Sequence, residues 1–317
     1  MTQARAASIG AWAGMIETML TDNWKIPISF VIEPASSDPA VAGVLPSPVD
    51  SSFEPWLDSD TREEFGCCYE DGDGYHICLY GSGSFAFDRR LSGPVRGIPE
   101  PGVTPEAFQH DFYRKALPFI LQWHSWEVLH ANGLVVSGAC VALCGDSRMG
   151  KSTLAHAWSS RGGVVFADDT LPFRFEGSSI SVSPIPFRIR ARPPARDYFG
   201  ALNEATSPDA DRTHGAATVV GSPLQAIYLL ERCPEEDGPV QIALVPPQDA
   251  LPEILRHALC LHLRDRTRNA AMMAHYLALA DGVPAYRLSY PTGLGHVGAI
   301  LDRLITHAAE RHAGSRP

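Results

Sequence analysis

Across residues 1–100 the apolar positions come in short runs broken by Pro, Ser and Asp, and "PASSDPAVAGVLPSPVDSS" reads as an irregular connection. Within that region "YHICLYGSGSFAFDRRL" alternates apolar and polar residues around a Gly-Ser-Gly break, which predicts strands joined by turns. The "DGDG" of Asp71 to Gly74 has part of the spacing of a calcium loop but lacks the later bidentate Glu, so it reads as a solvated turn. A Pro-Gly cluster, "GIPEPGVTPEAF", then opens a helix. Thr104 supplies its cap, Pro105 its first turn and Glu106 an early carboxylate, while Phe108, Phe112, Leu117, Ile120 and Leu121 recur at helical spacing.

Beyond that helix the period shortens to two. Two β-rich runs in "LHANGLVVSGACVALCG" flank Ser137-Gly138, the pattern of a hairpin whose second strand feeds a glycine loop. "KSTLAHAWSSRGG" predicts a short helix ended by Gly162-Gly163, and "VVFADD" a buried strand after it. Residues 170–235 are rich in strand and turn signals. From "PPQDALPEILRHALCL" helices return, with a strand at "AYRLSY" and a terminal helix through "GHVGAILDRLITHAAERH". There is no internal repeat. The expected architecture is α/β, with a smaller β-rich N-terminal region over residues 1–100 and a larger domain over 101–317.

Composition narrows the function classes. Apolar residues make up 45% and charged residues 20% of the chain, as in an ordinary globular protein. A formal net charge of −10 argues against broad binding to nucleic acid or anionic membrane, which depends on neutralising phosphates with Lys and Arg. The seven cysteines are odd in number and too sparse for a disulfide framework, and the adjacent Cys67-Cys68 offers poor geometry for zinc. No run approaches the roughly 20 apolar residues of a membrane helix, and the N-terminal segment is interrupted by Glu17, so a cytoplasmic location is expected.

The strongest chemical signal is "LCGDSRMGKSTL", which has the spacing of a phosphate-cradling loop set between a strand and a helix. Such a loop offers backbone N–H groups and the positive end of a helix dipole to a nucleotide's phosphates. Gly145 and Gly150 permit the close turn, Asp146, Ser147, Arg148 and Met149 complete the loop, and Thr153 follows in the helix. Lys151 can reach the β- and γ-phosphates, and the Ser152 hydroxyl is a suitable hard oxygen for Mg²⁺. Asp168 and Asp169 end the strand after the loop helix, where one carboxylate can hold Mg²⁺ and the other can accept a proton from an attacking hydroxyl. His130, just before the hairpin, is either a structural histidine or a relay of charge near a transferred phosphate. Arg188, Arg190 and Arg192 would share one face of a strand; Arg264, Arg266 and Arg268 form a second cluster.

The combination "LHANGLVV…ALCGDSRMGKSTLAHAWSSRGGVVFADD" resembles the catalytic domain of HPr serine kinase/phosphorylase, and more closely the HPr-kinase-like peptide kinases of ribosomal peptide (lasso peptide) biosynthesis. The resemblance is strong over residues 129–170 and weaker, in pattern, to about residue 305. It implies a phosphoenolpyruvate-carboxykinase-like P-loop fold, ATP with Mg²⁺, and transfer to a serine or related hydroxyl. It implies Ser152 and Asp168 at the metal, Asp169 as base, a functional His130, an Arg188 that contacts phosphate or substrate, and an oligomer. Two features depart from the pattern: Arg148 stands where the family often has a small residue, and residues 1–100 do not look like the usual N-terminal domain.

The leading expectation is an ATP-dependent serine kinase acting on a peptide or protein, with residues 1–100 helping to recognise it. A small-molecule hydroxyl kinase would use the same core, and a nucleotide-binding regulatory module with slow hydrolysis is the reading from another class. Reverse, phosphorylase-type activity stays open, as do the acceptor and the nucleotide preference.

Overall fold

A computed structural model describes residues 16–17, 28, 30–33, 54–57, 63–71, 74–177, 179–185, 221–233, 238–259 and 265–314. Arg188, Arg190, Arg192, Arg264 and Cys260 lie outside the described residues. The chain divides into two compact units, residues 1–117 and 118–317.

The first unit is built on a seven-stranded sheet: β1 (Ile16–Glu17), β2 (Phe30–Ile32), β3 (Glu54–Leu57), β4 (Glu64–Asp71), β5 (Gly74–Leu79), β6 (Gly83–Asp88) and β7 (Val95–Pro99). Strands β3 to β7 form an antiparallel meander, and β2 joins its far edge parallel to β7. The alternation read in "YHICLYGSGSFAFDRRL" becomes the β5–β6 pair, with Ile77 opposite Phe85 and both fully buried. Helix α1 (Pro105–Asp111) starts at Thr104, whose Oγ1 accepts a hydrogen bond from the Ala107 N–H at 3.3 Å. Phe108 and Phe112 pack with Phe30 and Phe85, and the Phe30 and Phe112 rings stack 4.0 Å apart.

The helix predicted as one continuous run is helical from 105 to 123 but widens in its middle. Residues Phe112–Ala116 form a π-turn before α2 (Leu117–Trp123), with the Leu117 N–H reaching back five residues to the Phe112 carbonyl. The cause is Pro118: an α-helical turn would drive its ring into the carbonyl four residues back, and the wider turn relieves that clash.

The second unit carries a nine-stranded sheet: β8 (Glu127–Leu129), β9 (Ala131–Val136), β10 (Ala139–Cys144), β11 (Val164–Ala167), β12 (Leu171–Glu176), β13 (Ser179–Val182), β14 (Ser222–Arg232), β15 (Gln241–Leu244) and β16 (Ala285–Tyr290). Its order is β11-β9-β10-β14-β13-β12-β8, with β16 also beside β14 and β15 beside β16. The β9–β10 hairpin turns on Ser137 and Gly138, both with positive φ, as a tight two-residue turn requires. Strands β10, β14 and β16 are parallel; β9 runs against both β10 and β11, so β11 points the same way as β10.

Side-chain parity sorts this sheet into two cores. Cys140, Ala142 and Cys144 of β10 face one, with Ile227 and Leu229 of β14. Helices α4 (Pro247–Leu255) and α5 (Arg266–Gly282) contribute Ile254 and Tyr276 to that side. Val141 and Leu143 face the other, under α3 (Lys151–Ser160) and α6 (Val297–Gly314), with Leu154, Ile300 and Leu304. A strand buried on both faces has no polar side to show, which is why "ACVALC" reads as an unbroken apolar run. Among the described residues Cys67, Cys68, Cys78, Cys140, Cys144 and Cys233 are free thiols, and no helix is long and apolar enough to cross a membrane.

Candidate functional site

The glycine loop leaves the carboxyl end of β10 and enters α3 at Lys151. Each loop glycine has its own reason. A Cβ on Gly145 would lie 3.0 Å from the Leu230 Cβ and 3.2 Å from the Met149 Cβ, so the loop closes tightly against β14 only because none is there. Gly150 has φ +95°, a left-handed conformation that side chains resist. Arg148, the bulky departure noted in the sequence, holds φ +71° and is strained by roughly 1 kcal/mol. Two neighbours hold that strained turn: the Arg232 guanidinium donates to the Arg148 carbonyl at 2.6 Å, and the Tyr290 hydroxyl donates to the Met149 carbonyl.

No side chain caps the N-terminus of α3, so its first N–H groups are left for an acceptor from outside the helix. Lys151 is buried, and its Nζ folds back to the Gly145 carbonyl at 2.6 Å. Burial pushes its ammonium below its ordinary range, and the carboxylates around it, Asp169 foremost, act in the opposite direction. A buried cation satisfied chiefly by loop carbonyls is suited to turn onto phosphate oxygens. At the loop's outer edge Asp146 pairs with Arg256 at 3.3 Å, an exposed contact worth at most about 1 kcal/mol.

Beyond β11 the two aspartates separate. Asp168 is buried, and its Oδ1 accepts from the Ser152 hydroxyl at 2.8 Å and from the Asn132 amide at 2.7 Å. Asp169 takes a left-handed backbone, φ +67°, which turns its side chain away from that cluster towards His130, with His130 Nε2 3.8 Å from Asp169 Oδ1. The Asp169 N–H donates back to Asn132 Oδ1 at 3.2 Å, so one fully buried amide holds both aspartates. His130 is itself placed by its N–H, which donates to the His257 carbonyl at 2.7 Å. His257 is buried, and that burial lowers its imidazole to about 4, leaving it neutral near pH 7.

The residues fit a hard divalent cation. Mg²⁺ commonly takes one or two protein oxygens and completes its shell with phosphate oxygens and water, and Ser152 Oγ with Asp168 Oδ1 offers such a pair. Among the described residues no three His, Cys, Asp or Glu side chains gather to hold a metal by themselves.

Thus Gly145 through Thr153, His130, Asp168 and Asp169 come together, although His130 and Asp169 are 39 positions apart in the chain by subtraction. Arg268 does not join them. Its guanidinium grips both oxygens of the buried Glu127 at 2.8 Å, with His275 Nδ1 2.7 Å from the same carboxylate. That places Arg268 in a structural ion pair tying α5 to β8.

No protein-family model matches the chain, and no curated protein matches it. Among solved structures, 58% of this chain aligns with 98% of the HPr(Ser) kinase/phosphatase from Coxiella burnetii, at 14% identity and a TM-score of 0.32. Similarity at that level bears on neither fold nor function, which leaves the site's own geometry to carry the reading.

Sequence reasoning singled out neither Asn132 nor the group Arg232, His257 and Tyr290. Asn132 had a signal: a lone amide in the apolar run of β9, on the same strand parity as Leu134 and Val136, which face α3. Arg232 and Tyr290 reach the loop, and His257 reaches His130, from chain positions 82 or more residues beyond Gly150 by subtraction, with no local pattern to mark them.

Proposed function

We propose that this chain is an ATP- and Mg²⁺-dependent kinase that transfers the γ-phosphoryl group to a Ser or Thr hydroxyl of a peptide or protein. The observation that carries the reading is the division of labour between adjacent carboxylates: Asp168 is bonded to Ser152 at 2.8 Å, while Asp169 is turned aside towards His130. A protein that only binds nucleotide has no need of a second carboxylate held clear of the metal position.

In this reading the loop N–H groups and the α3 N-terminus bind the triphosphate, with Lys151 turned onto its outer phosphates. Ser152 and Asp168 would hold Mg²⁺, which supplies neutralisation of phosphate charge. The acceptor hydroxyl oxygen forms a bond to the γ-phosphorus as the bond to the β–γ bridging oxygen breaks and ADP takes the electron pair. Asp169 receives the hydroxyl proton, with the His130 imidazole beside it. The acceptor class is carried by the sequence resemblance, which favours a biosynthetic precursor peptide and assigns its recognition to residues 1–100.

The test is incubation with Mg-ATP and candidate acceptors, chiefly precursor peptides encoded beside the gene, read by intact mass. A gain of one phosphate on a peptide, abolished by Asp169→Asn, is the expected result. Asparagine tolerates the left-handed backbone at this position as aspartate does, so the loss reports chemistry rather than strain. ATP turnover that no peptide accelerates would overturn the peptide-kinase reading in favour of a small-molecule acceptor or a nucleotide-dependent switch.

A further inference from the structure

A cavity of about 240 Å³ adjoins the glycine loop on the side away from Asp168. Met149 and Gly150 of the loop form one wall, Tyr290, Leu294 and Val297 another, and Arg232 stands at its polar edge. Whole-ligand pockets usually run to roughly 300–1,000 Å³. This cavity therefore suits one part of a ligand whose remainder lies outside it.

Strand direction says which part. The sheet runs β11-β9-β10-β14-β16, and β11, β10, β14 and β16 all point the same way, so their carboxyl ends line one edge. Along that edge stand Asp168 and Asp169 after β11, the glycine loop after β10, Arg232 at the end of β14 and Tyr290 at the end of β16. Ligands of open α/β sheets lie across such an edge. With phosphates on the loop and the reacting phosphate towards the aspartates, the opposite end of the molecule must leave towards β14 and β16. The cavity is there, with mostly apolar side chains, as the faces of a flat heteroaromatic ring require.

We infer that this cavity receives the base of the nucleoside triphosphate, an inference that rests on the nucleotide reading above. Occupancy would also be felt by the loop, because Arg232 and Tyr290, which line the cavity, are the residues that hold the carbonyls of Arg148 and Met149. The base pocket and the phosphate cradle thus share a wall.

The experiment is calorimetric titration of the full chain with ATP, GTP and inorganic tripolyphosphate, each with Mg²⁺. Tripolyphosphate carries the phosphates without the base. At least one nucleotide should bind ten-fold or more tightly than tripolyphosphate. Val297→Phe, which fills the cavity, should remove that advantage while tripolyphosphate still binds. Leu294→Asn, at a half-buried position of the wall, is the second variant should the phenylalanine disturb folding, with thermal melting as the control. Equal binding of nucleotides and tripolyphosphate to the unaltered protein, or variants that keep the nucleotide advantage, would overturn the pocket assignment while the phosphate loop stands. Binding of none of the three would overturn the nucleotide reading itself.

Discussion

Asn132→Asp probes the site without changing its shape. The amide nitrogen that donates to Asp168 Oδ1 at 2.7 Å is replaced by a carboxylate oxygen at the same place. One hydrogen bond to a charged acceptor, worth about 1.5–3 kcal/mol, is lost. Two buried carboxylates then face each other, and they cannot both ionise at that distance without large cost, so one of them is driven to hold a proton. Together we expect about 3 kcal/mol of destabilisation at pH 7. For a domain of this size that lowers the melting temperature by about 6–12 °C. The sign with pH follows from the raised carboxyl: its stability contribution is intact below the unfolded pKa and is lost as pH rises towards the folded one. The gap between variant and parent should therefore narrow on acidification. The assay is thermal unfolding by circular dichroism from pH 4 to 8 in metal-free buffer, since a divalent cation between the carboxylates would mask their repulsion. An unchanged melting temperature at pH 7, or a gap that widens as pH falls, would refute the assignment of Asn132 as the bridge between the aspartates.

Three further outcomes are expected. The folded chain keeps His257 neutral down to about pH 4 whereas the unfolded chain protonates it near 6.5, so the unfolded state binds more protons in that window; stability should fall by up to about 3 kcal/mol from pH 6.5 to 4, and His257→Leu should flatten that slope in pH-dependent urea titrations. Gly150→Ala forces a side chain into φ +95° and should cost about 1–2 kcal/mol together with most nucleotide affinity, checked by melting and calorimetry. Arg268→Met removes the bidentate partner of the buried Glu127 carboxylate, leaving it His275 alone, and should destabilise the chain by about 3 kcal/mol in urea unfolding, whereas the pair Arg268→Met with Glu127→Leu should recover much of it.

Much of the fold was legible because local rules and tertiary packing agree. The capped start at Thr104, the hairpin at Ser137-Gly138 and the strand "AYRLSY" each depend on neighbours within a few residues. The exception is instructive. Apolar spacing from Phe108 to Leu121 predicted one helix, and a single imino acid, Pro118, widened it into a π-turn.

By itself the sequence determined the glycine loop, its lysine and serine, and the aspartate pair that ends the next strand, because glycine spacing and strand-helix order are written in consecutive residues. It could not determine how the two aspartates differ. Only the fold decided that, by placing Asn132 on the strand between β11 and β10, where one amide holds Asp168 to Ser152 while the left-handed turn at Asp169 points the second carboxylate towards His130. The fold likewise brought Arg232 and Tyr290 to the loop. Parallel strands end on one edge of a sheet, and that edge is assembled by packing rather than by order along the chain.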